Sequence, residues 1–547
     1  MKFLKLITTA AVVINLASVA QAVNPNAAAL KGGTFNYNFD AEPESLHPIM
    51  SGDTYEQYFS EYVHDSLCIN DPNTWEYKPR LAEKWDISKD GLVFTFFLRK
   101  DAFFHNGDPV TADDVKFSLE TIRDPKHQAL NTVPYIEKIS KVEVLDKHTI
   151  RFTSSEKYFQ TLGSLCGIIK VLPKSVYGDI NKSVKMQKEA IGAGPYKLEK
   201  YDKGQVIVVK KFDKWYGWND PALKGWFNFD QVNFRFTKED TIMAERLKKG
   251  ELDYVKFGGT DAFLKATGKP FKKTFDGGKF KTYAVVNEMP KSYGYIGFNF
   301  KDPILADKNV RLAFAHLVNR AEMNKKFFEN LNDLATGPVS VKSIQAADTK
   351  AIEFSPVKAK ELLTKAGWTD ADKNGILEKT INGQKTELKL SFIYANKDSE
   401  KQWTIVKEDC KKAGIDIELK LLEWNTFIKN VDDRTMQLWA MGWGGGDVEM
   451  DPKQIWHSSS ASKGGSNYGT YSNPEVDKLI DEGRQELDSK KRTVIFKKAY
   501  TLIAKDVPYV FLFNRKYEYY AQSKKVQTPG ETFKYDFGYR TWWAATK

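Results

Sequence analysis

The stretch Gln437–Ile455, QLWAMGWGGGDVEMDPKQI, restricts this chain more than any other. It opens as an apolar and aromatic run (Leu438, Trp439, Met441, Trp443), too short for most helices and about the length of a buried strand. Three consecutive glycines, Gly444 to Gly446, then break it, and a carboxylate, Asp447, follows. Glycines accept positive φ and let another group approach the backbone closely. A strand ending in such a turn, with a Trp before it and an Asp after it, suits the wall of a ligand site. The indole offers an apolar face and one donor, and the carboxylate offers a charge for a cation. A hairpin turn with a core Trp and a solvated Asp fits the stretch equally well, so the rest of the chain has to decide.

A chain of 547 residues exceeds one hydrophobic core and divides into two or three lobes. Its apolar share of 41% and charged share of 28% are those of an ordinary globular protein and exclude a disordered one. Met1–Ala22 reads as a secretory signal peptide. Lys2 and Lys5 precede the apolar segment Leu6–Val19, and Ala20-Gln21-Ala22 is a small-x-small cleavage site. Val23 follows the cut where a lipid-anchored protein would carry Cys, so a soluble, periplasmic product is expected. Removal of two lysines lowers the formal charge from +11 to +9, with 80 basic against 71 acidic residues. Those lysines are scattered, which argues against a nucleic-acid partner. Three cysteines, Cys68, Cys166 and Cys410, allow one bridge in an oxidising compartment and leave one thiol over; which two pair is open.

Along the chain, Gly32–Phe39 alternates like a strand, and Thr54–Leu67 carries Tyr55, Tyr58, Phe59 and Tyr62 at helical spacing. Asp90-Gly91 marks a hairpin turn between Trp85–Ile87 and Leu92–Leu98. Thr111 with Asp114 forms a capping-box pattern opening a helix through Val115, Leu119 and Ile122. Asn473-Pro474 starts a pair of helices carrying Val476, Leu479 and Ile480, then Val494, Ile495, Ala499 and Leu502. Asp506-Val507-Pro508 ends them before a strand at Tyr509–Phe513.

Within Lys78–Glu120 stand three patterns in order: P-x-L-A-E-x-W, then G-x-x-x-T-F-x-L-R, then F-x-x-G-x-P-x-T-A-x-D-V. IGAGPYKL at Ile191–Leu198, LKKGELD at Leu247–Asp253, GFNF and NVRLAFAHLVNR within Tyr295–Arg320, AKELLTKAGW at Ala359–Trp368 and PEVDKLI at Pro474–Ile480 continue the series. Together they cover about Lys31 to Val526 and resemble the large substrate-binding proteins of peptide and nickel ABC transporters. The resemblance implies an α/β, two-lobed periplasmic binding-protein fold, the large cluster C form of type II, with an additional small domain. The implied division is lobe I at 23–67, 173–291 and 511–547, the small domain at 68–172, and lobe II at 292–510. It implies capture of peptides by hinge closure, a cognate ABC permease in the inner membrane, and a monomer. Nickel chelates, haem, opines or oligosaccharides stay open as other ligands.

Catalysis has little support. G-x-S-x-G, H-E-x-x-H and G-x-x-x-x-G-K-[ST] are all missing from the sequence. The seven histidines lack metal-ligand spacing, and neither cofactor nor metal is implied. A secreted hydrolase using an acidic pair such as Asp447 and Asp451 is the rival from another class. Asp370–Glu378, DADKNGILE, imitates the start of an EF-hand loop, but Ile381 stands at position twelve, where that loop needs Glu. It reads as a polar turn, which the family often carries here, with calcium as the alternative.

Six residues are candidates for ligand binding, Trp424, Arg434 and Asp447 through the resemblance and Trp443, Tyr295 and Asn299 through their own chemistry. Trp424, in EWNTF, resembles the Trp of an E-W-x-T-F element that lines a side-chain pocket. Arg434, in DDRTMQ, resembles an Arg that takes a ligand carboxylate, and Asp447 matches the Asp that pairs with a peptide's α-ammonium. Asp451 is the rival for that role. Trp443 walls the site, and Tyr295 and Asn299 of the GFNF strand are candidates for aromatic and backbone contacts.

Overall fold

The structure is a computed structural model that describes residues 23–50, 54–127, 129, 132–267, 280–462 and 464–546. The signal peptide expected at Met1–Ala22 lies outside these residues. Two large sheets and one smaller one organise the chain. The first has seven strands, in the order Phe280–Val285, Glu518–Ser523, Tyr254–Phe257, Thr34–Phe39, Gln231–Phe236, Val206–Lys211 and Tyr196–Asp202. Its strands come from the beginning, the middle and the end of the chain. The second sheet has six, in the order Asn332–Leu334, Tyr509–Arg515, Tyr293–Phe298, Leu438–Trp443, Lys389–Tyr394 and Asp416–Leu421.

The chain therefore passes from the first sheet to the second at 286–292 and returns at 516–517. The return lies beyond residue 510, where the sequence places it. Phe511 and Leu512 remain buried in the second sheet, and pairing with Tyr293–Phe298 holds the strand there.

The small four-stranded sheet pairs Ala82–Ile87, Val93–Leu98, Thr149–Ser154 and Ile139–Asp146. In Val93–Leu98 every second residue, Phe94, Phe96 and Leu98, is buried, the period expected of a strand covered on one face. The covering helix is Ala112–Arg123, whose Val115, Leu119 and Ile122 are buried. Its start is a capping box in which the Asp114 carboxylate accepts the Thr111 N–H at 3.0 Å. Such a cap satisfies backbone donors that the first turn leaves free. A disulfide joins Cys68 to Cys166, and Cys410 is the buried free cysteine.

The long helix Ser489–Asp506 differs from its sequence reading. Val494 is 70% exposed, whereas Arg492, Phe496, Ala499, Tyr500 and Ile503 form the buried stripe. Phe496 and Tyr500 hold more apolar surface than Val494, so the helix turns that face inward. Among the described residues no helix is long and apolar enough to cross a membrane.

Candidate ligand-binding site

The strand Leu438–Trp443 lies between Tyr293–Phe298, antiparallel, and Lys389–Tyr394, parallel, with Trp443 opposite Tyr293. The glycines that follow run along the first inter-lobe connection. Gly446 donates its N–H to the Pro290 carbonyl at 3.1 Å. A Cβ on Gly445 would stand 2.2 Å from that same oxygen and 2.6 Å from the Lys291 carbonyl carbon. The close approach anticipated for this glycine is thus made by the hinge backbone.

Asp447 leaves the turn and enters a wall of small-domain residues. Its Oδ1 accepts the Glu449 N–H at 3.2 Å, and its Oδ2 accepts Gln160 Nε2 at 3.1 Å. Burial pushes its pKa up to about 6; backbone hydrogen bonds and the Trp75 side chain work against this, and the Glu449 charge adds to it. Tyr77 faces it, and its hydroxyl is pushed up to about 12 by burial first and by the Asp447 charge second. Burial, then Asp451 and Asp447, also raise Tyr135 and Tyr500.

The other two acids of the loop have cations of their own. Asp451 Oδ2 accepts Arg484 Nε at 2.9 Å and lies 2.9 Å from the Tyr158 hydroxyl. Glu449 Oε2 accepts both Nε and Nη2 of Arg492. Among the described residues no cation lies within ion-pair distance of Asp447. A half-buried carboxylate in that state has an unfavourable charge that a ligand cation would relieve. Asp451, the rival for the ammonium, is already neutralised.

The small domain grips this loop through Tyr158, Phe159 and Gln160. The Arg484 guanidinium lies 4.7 Å over the Tyr158 ring, and that of Arg492 lies 4.5 Å over Phe159. The Phe159 ring meets Phe496 edge to face at 5.7 Å, and its N–H donates to the Arg484 carbonyl. Trp75, Tyr77, Tyr158 and Gln160 carry no motif, so sequence reading missed them; only the packing of the small domain on lobe II brings them to the Asp447–Asp451 loop.

The remaining candidates divide into a stack and a clamp. Tyr468 stacks on Trp443 at 5.8 Å, Trp443 on Tyr295 at 6.2 Å, and Tyr295 on Tyr509 at 3.9 Å. Tyr295 is fully buried in this stack and presents no surface. The Trp443 indole N–H approaches the Tyr509 hydroxyl without completing hydrogen-bond geometry. Arg434 stands four residues before Leu438, the end of the strand opposite Trp443. Its guanidinium donates to the carbonyls of Asp432, Ser462 and Gly465 and lies 6.0 Å from the Tyr468 ring. Asn299 clamps the same end, donating to the carbonyls of Arg434 and Met436 at 3.0 and 2.8 Å. Trp424 opens the helix Trp424–Asp433, is 56% exposed, and stacks on Phe427 at 5.8 Å. Along the backbone, Asp447 and Trp443 lie at one end of the strand and Arg434 and Asn299 at the other, but the Arg434 guanidinium reaches back to Tyr468, the ring stacked on Trp443.

A cavity of about 360 Å³ lies elsewhere in lobe II, beside Arg320 and Asp348–Ile352. The Arg320 guanidinium there donates to the carbonyls of Ala335, Phe511 and Ile352, a structural arrangement that joins three segments.

Comparison with known proteins identifies the family. The oligopeptide-binding protein AppA of Bacillus subtilis is 28% identical over 88% of this chain and 86% of its own length. The dipeptide-binding protein of Escherichia coli is 26% identical over 90% of this chain and 91% of its own. The solved structure of AppA from Bacillus subtilis in complex with a nonapeptide shares the fold. Its TM-score is 0.74 at 24% identity, over 95% of this chain and 100% of that one. The family model of bacterial extracellular solute-binding proteins, family 5 (Middle), matches residues 76–466. The chain belongs to that family.

Proposed function

We propose that this protein captures peptides outside the cytoplasm, closes its lobes around them, and passes them to an ABC permease without chemical change. The observation that carries the reading is Asp447: a half-buried carboxylate whose pKa is pushed up to about 6, in a loop whose other acids are matched by arginines. An α-ammonium is the cation such a site suits, since an enclosed charge needs a charged and hydrogen-bonded partner. The relatives named for oligopeptides and dipeptides support the same ligand class. Trp443 and Tyr468 then form an aromatic wall beside the peptide, and Tyr295 and Asn299 hold that wall from behind. Arg434 and the exposed Trp424 stand further along the lobe, where a longer ligand would reach. The lobe connections at 286–292 and 516–517 supply the hinge. A monomer is sufficient for this role.

Calorimetry on one peptide in free and N-acetylated forms tests the reading. Asp447→Asn keeps the shape and removes the charge, and loss of one partner of such a pair costs about 2–5 kcal/mol. That is roughly thirty- to several-thousand-fold in affinity for the free peptide. The acetylated form binds the wild type poorly and is indifferent to the substitution. Equal affinity of the wild type for both forms would remove the ammonium from Asp447.

A further inference from the structure

The loop Asp370–Glu378 gathers carboxylates at the edge of lobe II, apart from the peptide site. One oxygen from each of Asp370, Asp372 and Glu378 lies within 4.8 Å of the others. Lys373 and Gly375 take positive φ, 59° and 86°, which folds the loop back on itself. Asp370 Oδ2 then accepts the Gly375 N–H at 3.2 Å, and Asn374 Oδ1 accepts the Ile376 N–H at 2.7 Å. Clustered surface acids alone carry no conclusion, because water solvates them.

Glu378 is not a surface acid. It is 6% exposed. Its Oε1 accepts the Ala371 N–H at 2.9 Å, while its Oε2 is buried with no hydrogen-bond partner. An unmatched buried carboxylate oxygen is unfavourable unless a cation or donor reaches it. The nearest cation is the Lys385 ammonium, 2.8 Å from Asp372 Oδ2 but 3.8 Å from Glu378 Oε1. The Lys385 side chain is 57% exposed, and an ion pair so open to water contributes little and is easily exchanged.

We propose that this loop is a calcium site, with Asp370, Asp372 and Glu378 as its acidic ligands and Lys385 moving out to solvent when the ion binds. Glu378, at the ninth position, supplies the acid that Ile381 at the twelfth cannot. Three carboxylates from one loop suit Ca²⁺, which takes about six to eight oxygen ligands in variable geometry, better than Mg²⁺, which keeps several of its waters and is held by about one or two carboxylates. The donor set is all oxygen, which disfavours the softer transition metals. Three carboxylates in a partly exposed loop place the dissociation constant at about 10⁻⁴–10⁻³ M, the range of extracellular modules. The ion would brace a turn already tied to the lobe by the Thr369–Glu378 bridge and the Leu377 N–H to the Gly414 carbonyl.

Calorimetric titration of the chelator-stripped full chain with CaCl₂, with MgCl₂ alongside, tests this. One saturable site is expected for calcium, with magnesium at least tenfold weaker. Asp372→Asn should weaken calcium at least tenfold, and Lys385→Met should strengthen it. Glu378→Gln should also weaken it, but because Glu378 is buried, Asp372→Asn, at a side chain 41% exposed, keeps the test independent of folding. Absence of saturable binding up to about 10 mM calcium, above the expected range, overturns the site. So does equal response to magnesium, or unchanged calcium binding in Asp372→Asn.

Discussion

Lys291, on one crossing between the lobes, and Glu518, the first strand residue after the other, pair at 3.2 Å, with both side chains largely buried. Lys256 and Arg515 each come within 3.8 Å of the same carboxylate. Burial would raise Glu518, yet Lys291, Lys256 and Arg515 together hold it below the ordinary range. One carboxylate thus ties both hinge strands to the end of the lobe I strand Tyr254–Phe257.

Glu518→Gln is expected to destabilise the protein by about 3–5 kcal/mol, because it leaves Lys291 buried without its partner. Urea unfolding measures it, and a change under about 1 kcal/mol would show that the cluster is not what joins the crossings. The depressed pKa also fixes the sign with pH. Stability from Glu518 is present above the ordinary carboxylate range and is lost as pH falls through its lower folded value.

Asp447 has the opposite sign. Its folded pKa, about 6, lies above the ordinary carboxylate value, so the native state holds its proton more tightly than the unfolded chain. The ligand-free protein should lose on the order of 2–3 kcal/mol as pH rises from about 4 through 6, a loss Asp447→Asn removes. Binding of an ammonium needs the ionised form. Affinity for a free peptide should therefore fall about tenfold between pH 7.5 and 5, with proton release on binding near pH 6. A flat pH profile in the wild type, measured by calorimetry in two buffers, contradicts the assignment.

Gly445→Ala should destabilise by about 1–3 kcal/mol, since its Cβ would meet the Pro290 carbonyl at 2.2 Å and neither backbone can yield cheaply. Gly444→Ala, where nothing lies within 4 Å, is the control and should be nearly neutral. Thermal unfolding of the two variants side by side separates close approach from general flexibility of the turn.

Opening the Cys68–Cys166 bridge, whose ends are 98 positions apart in sequence, should cost about 2–5 kcal/mol. Cys410 should stay unreactive to thiol reagents in the native protein, because burial raises its thiol far from the reactive range. Rapid labelling of Cys410 before unfolding would contradict its place in the lobe II core.

The sequence by itself determined the local pieces. Alternation in Val93–Leu98, the Thr111–Asp114 cap and the Asn473 cap each depend on neighbours a few residues away, and those interactions are written in order along the chain. The ordered motifs carried the family, and Gly445 announced a close approach without saying of what. Tertiary structure alone decided the rest. Which acid of the Asp447–Asp451 loop lacks a cation depends on Arg484 and Arg492, more than 30 residues away, and on Tyr158 and Gln160, nearly 300 residues before it. Likewise Val494 and Phe496 fit a helical pattern equally, and only the surface they pack against chooses between them. Charge matching and packing act through space, and residue spacing encodes distance only within one element.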